Sequence, residues 1–345
     1  MGIYRFLLAL LVAVSHTGIK ILGFNPGVVA VISFFLLSGY VMTQLIRKYY
    51  LQPALVGRFY LDRAARLFPQ YLFYFALASL FLYASGMTTI FTYQLDAAKW
   101  LLNIPILPLG FYMWLLDGAT VLPQAWSLGL EMCFYLVIPW LLLRCSRGQI
   151  HALAAASFAV FLAAFAGLIH TDHFGYRLLP GTLFMFLAGA AFAADDSDRA
   201  AHWFRRTVTL AAALLLAFAC WQQRYYVLPY NKEVLVGLLL GLAALGLLRR
   251  LPYSALDEFF GNLSYGVFLN HFIVIWWLQK YHGVEAFGSF DVIMLLLAAT
   301  VMAAASFHLV ERPAIRWRHA IRQATQKERQ EAAVSTDIAQ RQAMR

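Results

Sequence analysis

Arg5 and His16 stand at the two ends of an apolar run, Arg5-Phe6-Leu7-Leu8-Ala9-Leu10-Leu11-Val12-Ala13-Val14-Ser15-His16. Eleven positions are very nearly three helical turns, so the guanidinium and the imidazole share one face about 16 Å apart along the axis. With Arg5 at one surface of a hydrocarbon core about 30 Å thick, His16 lies past the midplane. An ionisable group at that depth is costly and marks function by default. A second run, Gln124 to Tyr135, carries Ser127, Glu131 and Tyr135 at i, i+4 and i+8, hence on one face. A third, Leu263 to His271, ends in Asn270-His271. Counting along each run puts His16, Glu131 and His271 at comparable depth in the outer half. A carboxylate beside a histidine can hold its tautomer and stabilise the imidazolium formed when it takes a proton. Near the opposite surface, Arg58, Arg63 and Arg66 fall in one loop. Their forked donors suit phosphate, although composition alone favours the plainer role of topology anchors.

The elements that must hold these groups are membrane helices. With 62% hydrophobic and 13% charged residues, the chain is excluded from the ordinary soluble proteins. Apolar runs long enough to span fall at about 4–22, 27–46, 67–86, 124–143, 150–169, 178–194, 207–222, 233–248, 259–279 and 290–310. Of the 27 Lys and Arg residues, 21 then fall on the side of Arg5 and 6 on the other, so both termini are expected in the cytoplasm. Residues 100–116 are apolar but contain Pro105, Pro108 and Gly110, and counting them as an eleventh span turns the split to 10 inside against 17 outside. They are expected instead as an interfacial or re-entrant piece on the outer side. The fold class is all-α and polytopic, with about ten transmembrane helices, a membrane domain over 1–318 and a polar tail over 319–345. Ala13-Val14-Ser15 loosely resembles a cleavage site, but the value placed on His16 argues for retention. The basic residues sit in short clusters between apolar segments, a topology footprint that implies no nucleic acid. Cys133, Cys145 and Cys220 lack metal-ligand spacing, so no zinc and no disulfide framework is expected. Gly237 and Gly241 form a small-xxx-small pair for close helix packing.

The same residues carry a resemblance. Arg5 with His16, Phe34-Phe35-Leu36-Leu37-Ser38-Gly39-Tyr40, Arg63-Ala64-Ala65-Arg66-Leu67-Phe68-Pro69, Trp126-Ser127-Leu128-Gly129-Leu130-Glu131 with Phe134-Tyr135, Ser264-Tyr265 with His271, and Glu311-Arg312-Pro313 occur in an order similar to that of the membrane-bound acyltransferase type 3 family. Each motif is weak alone; six in order are strong. The chain departs at Phe268, where many members have tyrosine, and at Met132, often acidic or polar. The short basic tail leads us to expect no SGNH-type domain. The resemblance implies transfer of an acyl group, usually acetyl, from cytoplasmic acyl-CoA to a hydroxyl of an extracytoplasmic polysaccharide or lipid-linked sugar, in a bacterial inner membrane. It makes His16 and Glu131 the catalytic candidates. Arg5, Arg58, Arg63 and Arg66 become donor-binding, and Trp126, Ser127, Tyr135 and His271 substrate-binding. The donor, membrane lipid and glycan synthesis or export machinery are the implied partners, with no metal. His16 in its neutral form would deprotonate the acceptor hydroxyl, or carry the acyl group covalently.

A different class remains open at this point: a proton-coupled transporter or flippase whose intramembrane His and Glu relay protons. A non-catalytic scaffold for a glycan synthase is a third. His308 with Glu311 reads as a structural pair near the cytoplasmic surface, and Ser38, Gly39 and Tyr40 as setting helix packing.

Overall fold

A computed structural model describes residues 1–252, 254–318, 320–323 and 325–326. Apolar runs become helices because every backbone polar group in lipid must be satisfied within its own segment. Ten helices build the bundle: α1 (Gly2–Ser15), α2 (Pro26–Leu45), α3 (Val56–Ser85), α4 (Trp126–Arg144), α5 (Arg147–Phe165), α6 (Leu179–Ala190), α7 (Arg199–Trp221), α8 (Asn231–Leu248), α9 (Ala255–His282) and α10 (Ser289–Ser306). Nine of these segments, with their short helical extensions, are long and apolar enough to cross a membrane among the described residues. The all-α polytopic fold expected from the sequence is what forms. The exception in length is α1. Its 14 residues reach about 21 Å, and the helix stops one residue before His16.

The stop has local causes. Ser15 Oγ and Thr17 Oγ1 turn back onto the carbonyls of Val12 and Val14, each at 2.7 Å. Gly18 and Gly23 take φ of +82° and +80°, a region open to glycine at little cost. Asn25 Oδ1 then caps α2, accepting from Gly27 N at 3.0 Å. At the other end of α1, Ile3 N donates to Asp257 Oδ1 at 3.0 Å. There Gly2 and Gly261 let α1 and α9 touch backbone to backbone.

Helix α2 runs through the centre, packed on α6 and α8. A Cβ on Gly39 would overlap the Phe186 carbonyl, and one on Gly189 the Leu36 carbonyl. Gly237 and Gly241 face the same helix, where added Cβ atoms would meet Ile32 and Leu36. Such close approach is how membrane helices gain packing attraction without a hydrophobic driving force. Gly39→Val is therefore expected to lower the melting temperature of the detergent-solubilised protein and its yield in membranes. An unchanged melting curve would contradict this contact.

Residues 100–116 do not cross. They break into the short helical pieces Ala97–Asn103, Leu107–Phe111 and Tyr112–Leu115, with Ile106 at φ +63° between them. Asn103 anchors the cap, accepting from Val121 N at 3.0 Å and donating to Ala119 O at 2.9 Å. Gly110 lies against Gly129 of α4, backbone on backbone.

The expected loop holding Arg58, Arg63 and Arg66 is instead the first turns of α3, 30 residues long and continuous through Pro69. Beyond α10 the chain passes through a wide turn, Phe307–Glu311, just ahead of Pro313, whose missing N–H cannot continue the ordinary ladder. The helix then runs on to Gln323, carrying Arg318 and Arg322 to Asp62 of α3. The rest of the expected 319–345 tail lies largely outside the described residues.

Candidate active site

Two cavities occupy the bundle, and their walls divide the ionisable residues. The inner one, about 520 Å³, is lined by Arg5, Lys48, Arg63, Arg66, Arg318 and Arg322 together with Ser38, Glu131, Tyr135, Ser264 and Tyr265. The outer one, about 260 Å³, is lined by His16, Ser15, Asn25, Thr120, Gln124, Trp126 and Arg177. Val31 of α2, Ser127 of α4 and Phe268 of α9 belong to both walls. The cavities thus adjoin, with these three side chains as their common wall. Helix α1 offers Arg5 to the inner cavity and, just past its last turn, His16 to the outer one.

His16 is exposed within that outer cavity. Its ring stacks on His271 at 5.3 Å and 14° and leans on Phe272 at 4.5 Å. Neither ring nitrogen is hydrogen-bonded to any described residue, so both are free for a substrate. His271 is fully buried and lines neither cavity. Its Nδ1 lies 3.2 Å from the Val267 carbonyl, where N–H donation leaves Nε2 as acceptor; that Nε2 has no partner among the described residues. The substrate contact expected of His271 does not fit this burial. The residue backs His16 instead.

Glu131 departs from expectation in the same way. It opens on the inner cavity, where its Oε1 accepts from Ser38 Oγ at 2.5 Å and from Tyr135 OH at 2.8 Å. No hydrogen bond joins it to His16, so the carboxylate expected beside the imidazole is not there. Tyr135 likewise faces the inner cavity, Trp126 the outer one, and Ser127 both.

The cations of the inner cavity are held by buried acids. Asp62, with no exposed surface, pairs with Arg63, with Arg322 at 3.0 Å and with Arg318 at 3.7 Å. Arg66 pairs with Glu311, so the Glu311-Arg312-Pro313 motif supplies a carboxylate that ties the long last helix to α3. Buried Arg5 Nε has no hydrogen-bond partner among the described residues. Six cations line or flank this space against the three carboxylates Asp62, Glu311 and Glu131, leaving a surplus positive field suited to a polyanion. Arg58 is not part of it; its Nη1 reaches Thr325 at 3.5 Å. Lys48, Arg318 and Arg322 were not singled out from the sequence. The spacing of Arg318 and Arg322 at i, i+4 was a usable signal, but the boundary drawn at 318 cut it. Among the described residues no cluster of His, Cys, Asp or Glu can hold a metal.

A helical membrane protein with a cation-lined inner cavity and a histidine in an adjoining outer one has the parts of a membrane group-transfer enzyme. Residues 3–309 match the profile of the acyltransferase 3 domain, and the chain belongs to that family; it is a membrane acyltransferase. It is similar to an uncharacterized protein of Aquifex aeolicus (strain VF5), 32% identical over 187 residues, which cover 52% of this chain and 82% of that protein. It is also similar to nodulation protein 10 of Rhizobium leguminosarum bv. viciae, 27% identical over 337 residues, covering 85% and 83%. No solved structure matches the chain.

Proposed function

We propose that this protein transfers an acyl group, acetyl in the first instance, from cytoplasmic acyl-CoA to a hydroxyl of an extracytoplasmic polysaccharide or lipid-linked sugar, in a bacterial inner membrane. The observation that carries this reading is that the two cavities share the wall of Val31, Ser127 and Phe268. The phosphates of the donor rest among Arg5, Arg63, Arg66, Arg318 and Arg322, where guanidinium forks match phosphate oxygens. The pantetheine arm reaches up past Ser127, and the thioester carbonyl comes to the shared wall. The acceptor hydroxyl enters from the outer side. His16 takes its proton as the oxygen attacks the carbonyl carbon; the C–S bond breaks, and the proton passes to the departing thiolate. An ester and free CoA result. His271, stacked behind, positions the imidazole, while Glu131 with Ser38 and Tyr135 shapes the upper end of the donor path.

Inside-out vesicles loaded with extracted glycan and given radiolabelled acetyl-CoA in the bath, so that each substrate meets its own face, test the reading directly. Label is expected in the glycan. Label that never leaves the CoA fraction, with the protein intact in the vesicles, would refute it.

The shared wall also bears on chain length. Phe268 and Val31 are its apolar side chains, and each methylene a pocket accepts or rejects is worth about 10- to 200-fold in discrimination. Phe268→Ala is expected to raise the hexanoyl-CoA to acetyl-CoA rate ratio by about tenfold or more, measured as kcat/KM for each donor. A ratio that does not move would show that chain length is read elsewhere.

A further inference from the structure

Arg177 is the cation of the outer cavity, and donor binding has no use for it. It ends the turn His173–Arg177 that leads into α6. Its guanidinium carbon sits 4.6 Å from the ring centre of Trp126, 5.2 Å from Tyr176, 5.5 Å from Tyr112 and 5.8 Å from Tyr230. Nε donates to Asp172 Oδ1 at 2.6 Å, which fixes the plane of the group. Neither Nη is hydrogen-bonded to any described residue. The structural arginines of this chain behave differently: Arg205 Nη1 donates to Ala191 O at 2.7 Å, Arg47 Nη1 to Ala193 O at 2.8 Å and Arg249 Nη1 to Phe192 O at 3.3 Å. Those side chains pin backbone. Arg177 is instead pinned by others and presents its free edge to the cavity that holds His16, whose wall contains no carboxylate.

We infer that the acceptor is anionic, and that Arg177 grips a carboxylate or phosphate on it while Trp126 and the neighbouring tyrosines lie against its sugar rings. Paired Nη–H donors on a fixed plane match two oxygens of such a group, and aromatic faces suit the apolar faces of a pyranose. The grip sets which hydroxyl of the sugar reaches His16. Arg177 is thus a substrate-binding residue on the acceptor side. The inference rests on the acyltransferase reading above. Two sources offer the same chemistry: a uronate carboxylate within a glycan, or the phosphate of a lipid-linked sugar.

The experiment uses the full chain in inside-out vesicles of its own cells, fed radiolabelled acetyl-CoA, with products separated by anion exchange before and after mild acid cleavage of lipid-linked sugars. His16-dependent label is expected in the retained, anionic fraction. Retention that survives acid identifies a uronate, and retention lost with acid identifies the lipid phosphate. Arg177→Gln is expected to raise the KM for the isolated charged acceptor by about 10- to 100-fold with little change in kcat or in KM for acetyl-CoA, and Arg177→Lys to restore part of it. The unchanged donor KM certifies that the variant is folded. His16-dependent label wholly in neutral glycan would overturn the inference and leave the acyltransferase reading intact, as would an Arg177→Gln variant with unaltered acceptor KM. Absence of any His16-dependent label would instead overturn the acyltransferase reading, and this inference with it.

Discussion

Replacing His16 with alanine is expected to lower acyl transfer by about 10²- to 10⁴-fold, the range a positioned general base contributes. The expectation is sharper than a loss of activity. His16 lines the outer cavity, and the residues that would bind the donor line the inner one, so KM for acetyl-CoA should stay within about twofold while kcat collapses. A steady-state comparison in proteoliposomes reads both numbers. If the variant instead loses donor affinity with kcat preserved, the imidazole belongs to the donor site and the assignment of the two cavities is reversed. His271→Phe makes a useful companion, because it keeps a ring behind His16; a modest loss there against a large one at His16 separates positioning from proton transfer.

Asp62→Asn is expected to have the largest effect on stability. Asp62 has no exposed surface and is shared by Arg63, Arg318 and Arg322, whose side chains are 8%, 13% and 21% exposed. Removing one partner of a buried pair leaves charge uncompensated, at a cost of about 3–5 kcal/mol. The cost here falls on the joint between α3 and the segment carrying Arg318 and Arg322, so the inner cavity, where the donor is proposed to bind, should lose that wall as well. Thermal unfolding in detergent, read beside KM for acetyl-CoA, checks both consequences. Arg58→Ala provides the contrast: its side chain lines neither cavity, so KM for acetyl-CoA should stay within about twofold. Should Asp62→Asn melt like the wild type, the cluster is no keystone.

Hydropathy and the placing of lysine and arginine reveal the bundle because lipid imposes both on the sequence itself; this is why the ten segments and the broken piece at 100–116 were legible. Depth was less so. Glu131 was placed near the outer surface by counting from the start of its apolar run, yet the turn Pro123–Ala125 ahead of α4 is itself sunk in the protein, with Gln124 Nε2 donating to Leu269 O at 2.7 Å. The count therefore began too high, and the carboxylate belongs with Ser38 on the inner side. Arg177 was hidden for another reason. Its cage draws Tyr112, Trp126, Tyr176 and Tyr230 from separate stretches of chain, and no local spacing announces a meeting that only tertiary packing creates. Charge counting registered it merely as a stray cation on the wrong side. Similarly, nothing local announces that Val31, Ser127 and Phe268 converge.

That convergence bears on the cell as well as on the reaction. A channel open from face to face would dissipate the membrane potential, whereas a shared wall that sets a phenylalanine ring and a valine side chain between the two cavities repels water and so bars the hydrated ions that need it. On the proposed reading, a small uncharged group crosses an energised membrane that stays electrically tight, with Phe268 as the insulator.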